Sequence, residues 1–170
     1  IGDNFDGQGF VAGLRGENPC GDAECKVFTD KKILLIGAGG AGRAIALALA
    51  GCDVRQIDIT NRTPENAEKA VRLAKKIVPD ARMQTIASDA IEFDSYDMVI
   101  NATPLGLHGD DPMPFDVHLL SESCLVCDII MVPERTALID AAEARGLKVH
   151  LGRHMLDYQM QLIGEFMGAI

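Results

Sequence analysis

Lys32-Ile33-Leu34-Leu35-Ile36-Gly37-Ala38-Gly39-Gly40-Ala41-Gly42 is the stretch on which the fold turns. From Ile33 to Ile36 the run is apolar and rich in β-branched residues, the pattern of a strand buried on both faces. Gly37 ends it, and the next residues open a small-residue helix from Ala41 to Ala50, closed by Gly51. Gly37 to Gly42 fits G-x-G-x-x-G, and a strand before it with a helix after it is the setting in which that pattern binds a dinucleotide. Gly37 permits the tight turn, Gly39 lets the backbone approach a pyrophosphate, and Gly42 lets the helix lie close on the strand. The helix start supplies free N–H groups and the positive end of the helix dipole. Gly37, Ala38, Gly39, Gly40 and Ala41 are therefore candidate cofactor contacts. The bland alternative, a glycine-rich turn with no ligand, fits the flanking strand and helix less well.

Working outward, strands and helices alternate. Val54 to Thr60 reads as the second strand. Thr63-Pro64-Glu65 gives a helix cap, a first-turn proline and a first-turn acid. The helix behind them carries Ala67, Ala70, Val71, Ala74 and Ile77 on one side, with Glu65, Glu68, Lys69, Arg72 and Lys76 on the other. Met83 to Ala87, Tyr96 to Asn101, Leu125 to Ile130 and Leu147 to Leu151 are further strand candidates. Pro133 is expected at the start of a helix running to Arg145, with Gly146 as its cap, and a final helix runs from about His154. Before all of these, residues 1–14 suggest a short helix with Asn4 or Asp6 as cap, and residues 15–30 a loop. The alternation predicts an α/β fold with a doubly wound parallel sheet.

The end of the second strand bears on which dinucleotide is bound. An NAD site commonly holds an acidic residue there, about 20 residues past the glycines, to bind the ribose diol. This chain has Asn61-Arg62-Thr63 at that place. Arg62 can pair with a 2′-phosphate and Thr63 can donate a hydroxyl, which favours NADP, with NAD still open. Asp58 is the competing acid, but it comes three residues too early for that place.

Composition narrows the partners. The chain has 170 residues, enough for one compact α/β domain, and is 48% hydrophobic and 24% charged. Its 16 Lys and Arg against 25 Asp and Glu give a net charge of −9, which argues against nucleic acid or an anionic membrane as a general partner. No apolar run reaches the ~18 residues of a membrane span, and no signal peptide is expected from these residues. Cys20, Cys25, Cys52, Cys124 and Cys127 are odd in number and irregularly spaced, unlike a secreted disulfide framework. Cys124 and Cys127 form a C-x-x-C, but within a strand they face opposite sides, so no metal site is expected. A cytoplasmic location is the simplest expectation.

Six segments in order resemble shikimate and quinate/shikimate dehydrogenases. They are Gly2-Asp3-Asn4-Phe5-Asp6-Gly7-Gln8-Gly9-Phe10, the glycine loop, Asn61-Arg62-Thr63, Asn101-Ala102-Thr103-Pro104-Leu105-Gly106-Leu107, Asp128-Ile129-Ile130-Met131-Val132-Pro133-Glu134-Arg135-Thr136 and Gly152-Arg153-His154-Met155-Leu156-Asp157-Tyr158-Gln159. The resemblance covers nearly the whole chain. It implies reversible hydride transfer between NADPH or NADH and C3 of a shikimate- or quinate-type acid, and a role in aromatic amino acid biosynthesis. It assigns Asp6 as the carboxylate of a catalytic Lys–Asp pair and Gln159 as a partner of the substrate ring hydroxyl. It places Thr103, Ile129 and Gly152 along the nicotinamide half of the cofactor. The chemistry is consistent with the Asp6 assignment. Reducing a ketone needs a proton at its oxygen, and an aspartate with a pKa near ~3.9 serves better as the orienter of a lysine than as the acid.

Two departures stand out. The family's N-T-D reads Asn4-Phe5-Asp6 here, and Met131 occupies the substrate-contacting place of the family's tyrosine, where a hydrogen-bond donor is lost. Both suit a substrate other than ordinary shikimate. The resemblance implies a preceding segment, carrying the lysine and most carboxylate-binding residues, that is expected to lie outside these 170 residues. The 170 residues are therefore expected to be one NAD(P)-binding domain, inactive without its substrate domain. Homodimerisation is left open, and the alternative reading is a non-catalytic NAD(P)-binding sensor or regulatory module.

Overall fold

The computed structural model describes residues 5–17 and 27–167. Among them, six strands form one parallel sheet: β1 (Lys32–Ile36), β2 (Gln56–Thr60), β3 (Met83–Thr85), β4 (Met98–Asn101), β5 (Leu125–Asp128) and β6 (Lys148–His150). Their order is β3-β2-β1-β4-β5-β6. The chain winds one way from β1 through β2 to β3, then returns to the other side of β1 and winds outward through β4, β5 and β6. The reversal lies between β1 and β4, and a crevice opens at their carboxyl ends, where this topology binds its ligands.

The helices are α1 (Asp6–Glu17), α2 (Gly40–Ala50), α3 (Pro64–Ile77), α4 (Ala137–Ala144) and α5 (Gly152–Phe166). Alternate side chains of the strands enter two cores, which is the doubly wound arrangement. Ile33, Leu35, Ile57, Ile59, Met98 and Ile100 pack against α1, α2, α3 and α5. Leu34, Val99 and Val126 pack with Leu138 and Ala142 of α4 and with Phe115 and Leu120. Cys127 lies in the first core and Cys124 in the second, so the C-x-x-C does face two ways. Burial pushes the Cys124 thiol up to about 12, far from thiolate chemistry at neutral pH. Among the described residues no cluster of His, Cys, Asp and Glu is placed to hold a metal ion, and no helix is long and apolar enough to cross a membrane. Cys20, Cys25 and the candidate cap Asn4 lie outside the described residues.

Several boundaries differ from those expected. The helix expected at Pro133 begins at Ala137, because the hydroxyl of Thr136 caps it by accepting from the Ile139 amide at 3.4 Å. Residues 132–135 form a bend instead. Helix α1 runs to Glu17, past the loop expected from residue 15, because it packs along α5: a Cβ on Gly16 would overlap the Tyr158 ring. Helix α5 begins at Gly152, two residues before His154. Strand β2 starts at Gln56, two residues after Val54, β3 stops at Thr85 and β5 at Asp128.

Candidate functional site

The crevice is a continuous cleft along the carboxyl ends of the strands. On the β2 and β3 side a cavity of about 510 Å³ is lined by Ile36, Thr60, Arg62, Glu68, Thr85 and Ser88. A central one of about 300 Å³ lies between Gly37, Gly39, Thr63 and the Ala102–Leu105 segment. On the β4 and β5 side a third, of about 530 Å³, is lined by Asp6, Gly39, Gly40, Ala41, Ile129, Met131 and Met155. Thr103 borders all three, at the reversal point of the sheet.

The glycine loop is shaped as its spacing predicts. Gly37 has φ +106°, a conformation closed to side chains, and a Cβ there would lie 2.6 Å from the Ala102 carbonyl oxygen. A Cβ on Gly42 would lie 2.3 Å from the Gly37 carbonyl oxygen, so α2 meets the turn at backbone distance. Gly39 and Gly40 differ, since a Cβ on either meets nothing within 4 Å. Their side of the loop faces open space at the start of α2.

Asn61 fixes this loop from below. Its Oδ1 accepts from the Ala38 amide at 2.9 Å and its Nδ2 donates to the Thr63 carbonyl at 2.8 Å. Two sequence candidates are thus joined to each other by a hydrogen bond. The Ala38 amide is turned toward Asn61, and the Asn61 amide group is engaged with the protein's own backbone. The exposed Arg62 lines two of the cavities beside Thr63. Asp58, the competing acid, lies deep in the sheet, where it accepts from Tyr96 Oη and from Gln56 Nε2, each at 2.7 Å. Burial and this carboxylate push the Tyr96 phenol well above its ordinary value. Asp58 is a core residue and does not reach the cleft.

At the other end, α1 brings Asp6 to the cleft mouth. The helix approaches closely because a Cβ on Gly9 would sit 2.7 Å from the Met155 carbonyl oxygen of α5. Gln159, one turn further along α5, donates from Nε2 to Asp6 Oδ1 at 2.8 Å. The two residues read from opposite ends of the sequence are thus a hydrogen-bonded pair. Met131 and Ile129 line the same cavity, with Val132 at its rim and 79% exposed. Gly152 packs beneath it, where a Cβ would meet the Ile130 carbonyl oxygen at 2.4 Å.

The sequence reading missed the polar cluster under this half. Asn101, wholly buried at the end of β4, accepts from the Thr103 amide (3.1 Å) and hydroxyl (2.7 Å) and donates to the Leu105 carbonyl (3.1 Å) and Asp128 Oδ1 (3.2 Å). Asp128, at the end of β5, also accepts from the Ile130 amide at 3.1 Å and the Thr136 hydroxyl at 2.7 Å. Burial raises the Asp128 carboxyl above its ordinary value, opposed by the hydrogen bonds from Thr136, Ile130 and Asn101. The available signal was a polar residue closing each of two otherwise apolar strands.

The family model for shikimate / quinate 5-dehydrogenase matches residues 21–106. The chain is 39% identical over 166 residues to a shikimate dehydrogenase (NADP(+)) of Bacillus licheniformis, covering 97% of this chain and 56% of that protein. Among solved structures, quinate dehydrogenase from Corynebacterium glutamicum in complex with NAD matches with a TM-score of 0.82 and 28% identity, over 93% of this chain and 54% of that one. Ligand-free 5-ketofructose reductase of Gluconobacter sp. strain CHM43 matches with a TM-score of 0.83 and 30% identity, over 98% of this chain and 58% of that one. The chain spans little more than half the length of each of these relatives.

Proposed function

This chain belongs to the shikimate/quinate 5-dehydrogenase family, and we propose that it is the NADP(H)-binding part of an oxidoreductase acting on a shikimate- or quinate-type hydroxy acid. The observation that carries this reading is the uncovered face of Gly39 and Gly40 at the start of α2, with the rest of the loop locked by Asn61. A helix start with open backbone in front of it fits a pyrophosphate. The bound dinucleotide would supply or accept the hydride at C3 of the acid. Arg62 and Thr63 would hold the 2′-phosphate, which favours NADP over NAD. Thr103 and Ile129 would border the nicotinamide half, and Gly152 would admit α5 close behind it.

Asp6 would orient a lysine and the reacting oxygen, with Gln159 holding its carboxylate at the mouth. Gln159 and Met131 would face the substrate ring. A methionine in that place offers no hydrogen bond, and the resulting apolar wall suits a substrate other than ordinary shikimate. The lysine and the groups binding the substrate carboxylate would come from the remaining half of the protein. The 170-residue chain should accordingly bind NADPH yet turn over quinate and shikimate negligibly. Fluorescence titration with NADPH and NADH tests the binding, and failure to bind either removes the cofactor assignment. Efficient oxidation of either acid by this chain alone would defeat the divided-site reading.

A further inference from the structure

We propose that Asp128 is a positioning residue that shapes the nicotinamide half of the cleft by holding the Thr103–Leu105 segment and the Ile129–Ile130 turn on one buried carboxylate. The proposal rests on the cofactor reading above and adds a determinant to it. Three donors from three segments converge on this group: the Ile130 amide, the Asn101 side-chain amide and the Thr136 hydroxyl, at 3.1, 3.2 and 2.7 Å. The site is 1% exposed, so bulk water does not reach these donors in the folded chain. An ionised carboxylate is the side chain whose two oxygens accept several bonds and compete with none of the donors. Asn101 carries the connection onward to both ends of the Thr103–Leu105 segment.

The arrangement is one-sided. Both segments tied to Asp128 form walls of the cavity shared by Ile129, Met131 and Asp6. The β2 side of the cleft is built differently, from the glycine turn and Asn61, and makes none of these hydrogen bonds. A network that merely stabilised the fold would affect both halves of a bound dinucleotide alike. A positioning role affects the half it shapes.

The test compares two ligands on the 170-residue chain by calorimetric titration. NADPH spans the whole cleft, whereas 2′,5′-ADP occupies only the adenosine half. Asp128→Ala strands three buried donors and should weaken NADPH about tenfold while leaving 2′,5′-ADP within about twofold. Asp128→Asn keeps one oxygen for Asn101 and Ile130, while Thr136 can accept from the new amide. It should restore NADPH affinity to within about twofold of wild type. Thr136→Val, which removes the bond to Asp128 together with the long cap bond from the Ile139 amide, should show the same selectivity at about threefold, and it stands in if the alanine variant does not fold. Equal losses for both ligands, or no loss for either, overturn the proposal. A wild-type chain that binds neither ligand overturns the cofactor reading itself and this proposal with it. Wild-type binding with unselective variants overturns the proposal alone.

Discussion

The two halves of the cleft are held together by different means. On the β1–β2 side the wall is backbone: a turn that only glycine adopts, closed by a single asparagine. On the β4–β5 side the wall is carried by buried side chains, Asn101 and Asp128, with Thr136 reaching them from the cap of α4. Backbone geometry fails all at once when a Cβ is added. A side-chain network loses bonds one at a time, and its cost follows the number of stranded partners.

That contrast sets the order of the expected effects. Gly37→Ala should abolish detectable NADPH binding and lower the melting temperature, since the residue has positive φ and no room. Gly39→Ala should abolish binding while leaving the melting temperature unchanged. Calorimetry and thermal unfolding of the pair check this, and equal melting losses would refute the distinction between packed and open glycines. Asn101→Ala comes next, with a stability loss of about 3 kcal/mol by denaturant unfolding, because four hydrogen bonds in a dry site lose their partner. A loss below that of Asn61→Ala, expected at about 1–2 kcal/mol, would reverse the comparison.

Arg62→Ala follows, weakening NADPH about tenfold with NADH nearly unchanged, as one charge-assisted contact to a 2′-phosphate requires. Equal losses for the two cofactors would refute the 2′-phosphate role. The smallest effect is in pH. The folded chain raises Asp128 above its ordinary value of 3.8, so the unfolded chain releases this proton first as pH rises. Its contribution is present below pH 3.8 and is lost as pH rises through the raised folded value. Subtracting the Asp128→Asn stability curve from the wild-type curve isolates it, with a slope of at most about 1.4 kcal/mol per pH unit. A flat difference curve would show that burial does not outweigh the hydrogen bonds.

The backbone-built half was largely legible in the residues. A strand of apolar residues, a glycine spacing and a Thr-Pro-Glu helix start are local patterns, and local patterns survive into the fold. Asp58 was set aside because it comes three residues before Asn61, and it lies buried with Tyr96 as its partner. The other half was legible only in part. Thr103 and Ile129 were placed by resemblance, while the residues holding them were passed over, because Asn101 and Asp128 are 27 positions apart and meet only through strand pairing. The misplaced helix start at Pro133 has the same origin. Proline at a first turn is a sound local rule, but Thr136 caps the helix while also serving Asp128.

The order of residues was enough to establish the parallel α/β sheet, the glycine turn and the strand-end Arg62, since each depends on neighbours within a few positions. Folding was needed to pair Asp6 with Gln159 across 153 positions, to turn Asn61 and Ala38 toward each other, and to gather three donors on Asp128. Those are meetings of distant side chains, and nothing in the spacing of either partner records the other. Only the packing of α1 on α5, and of β4 beside β5, brings them within hydrogen-bond reach.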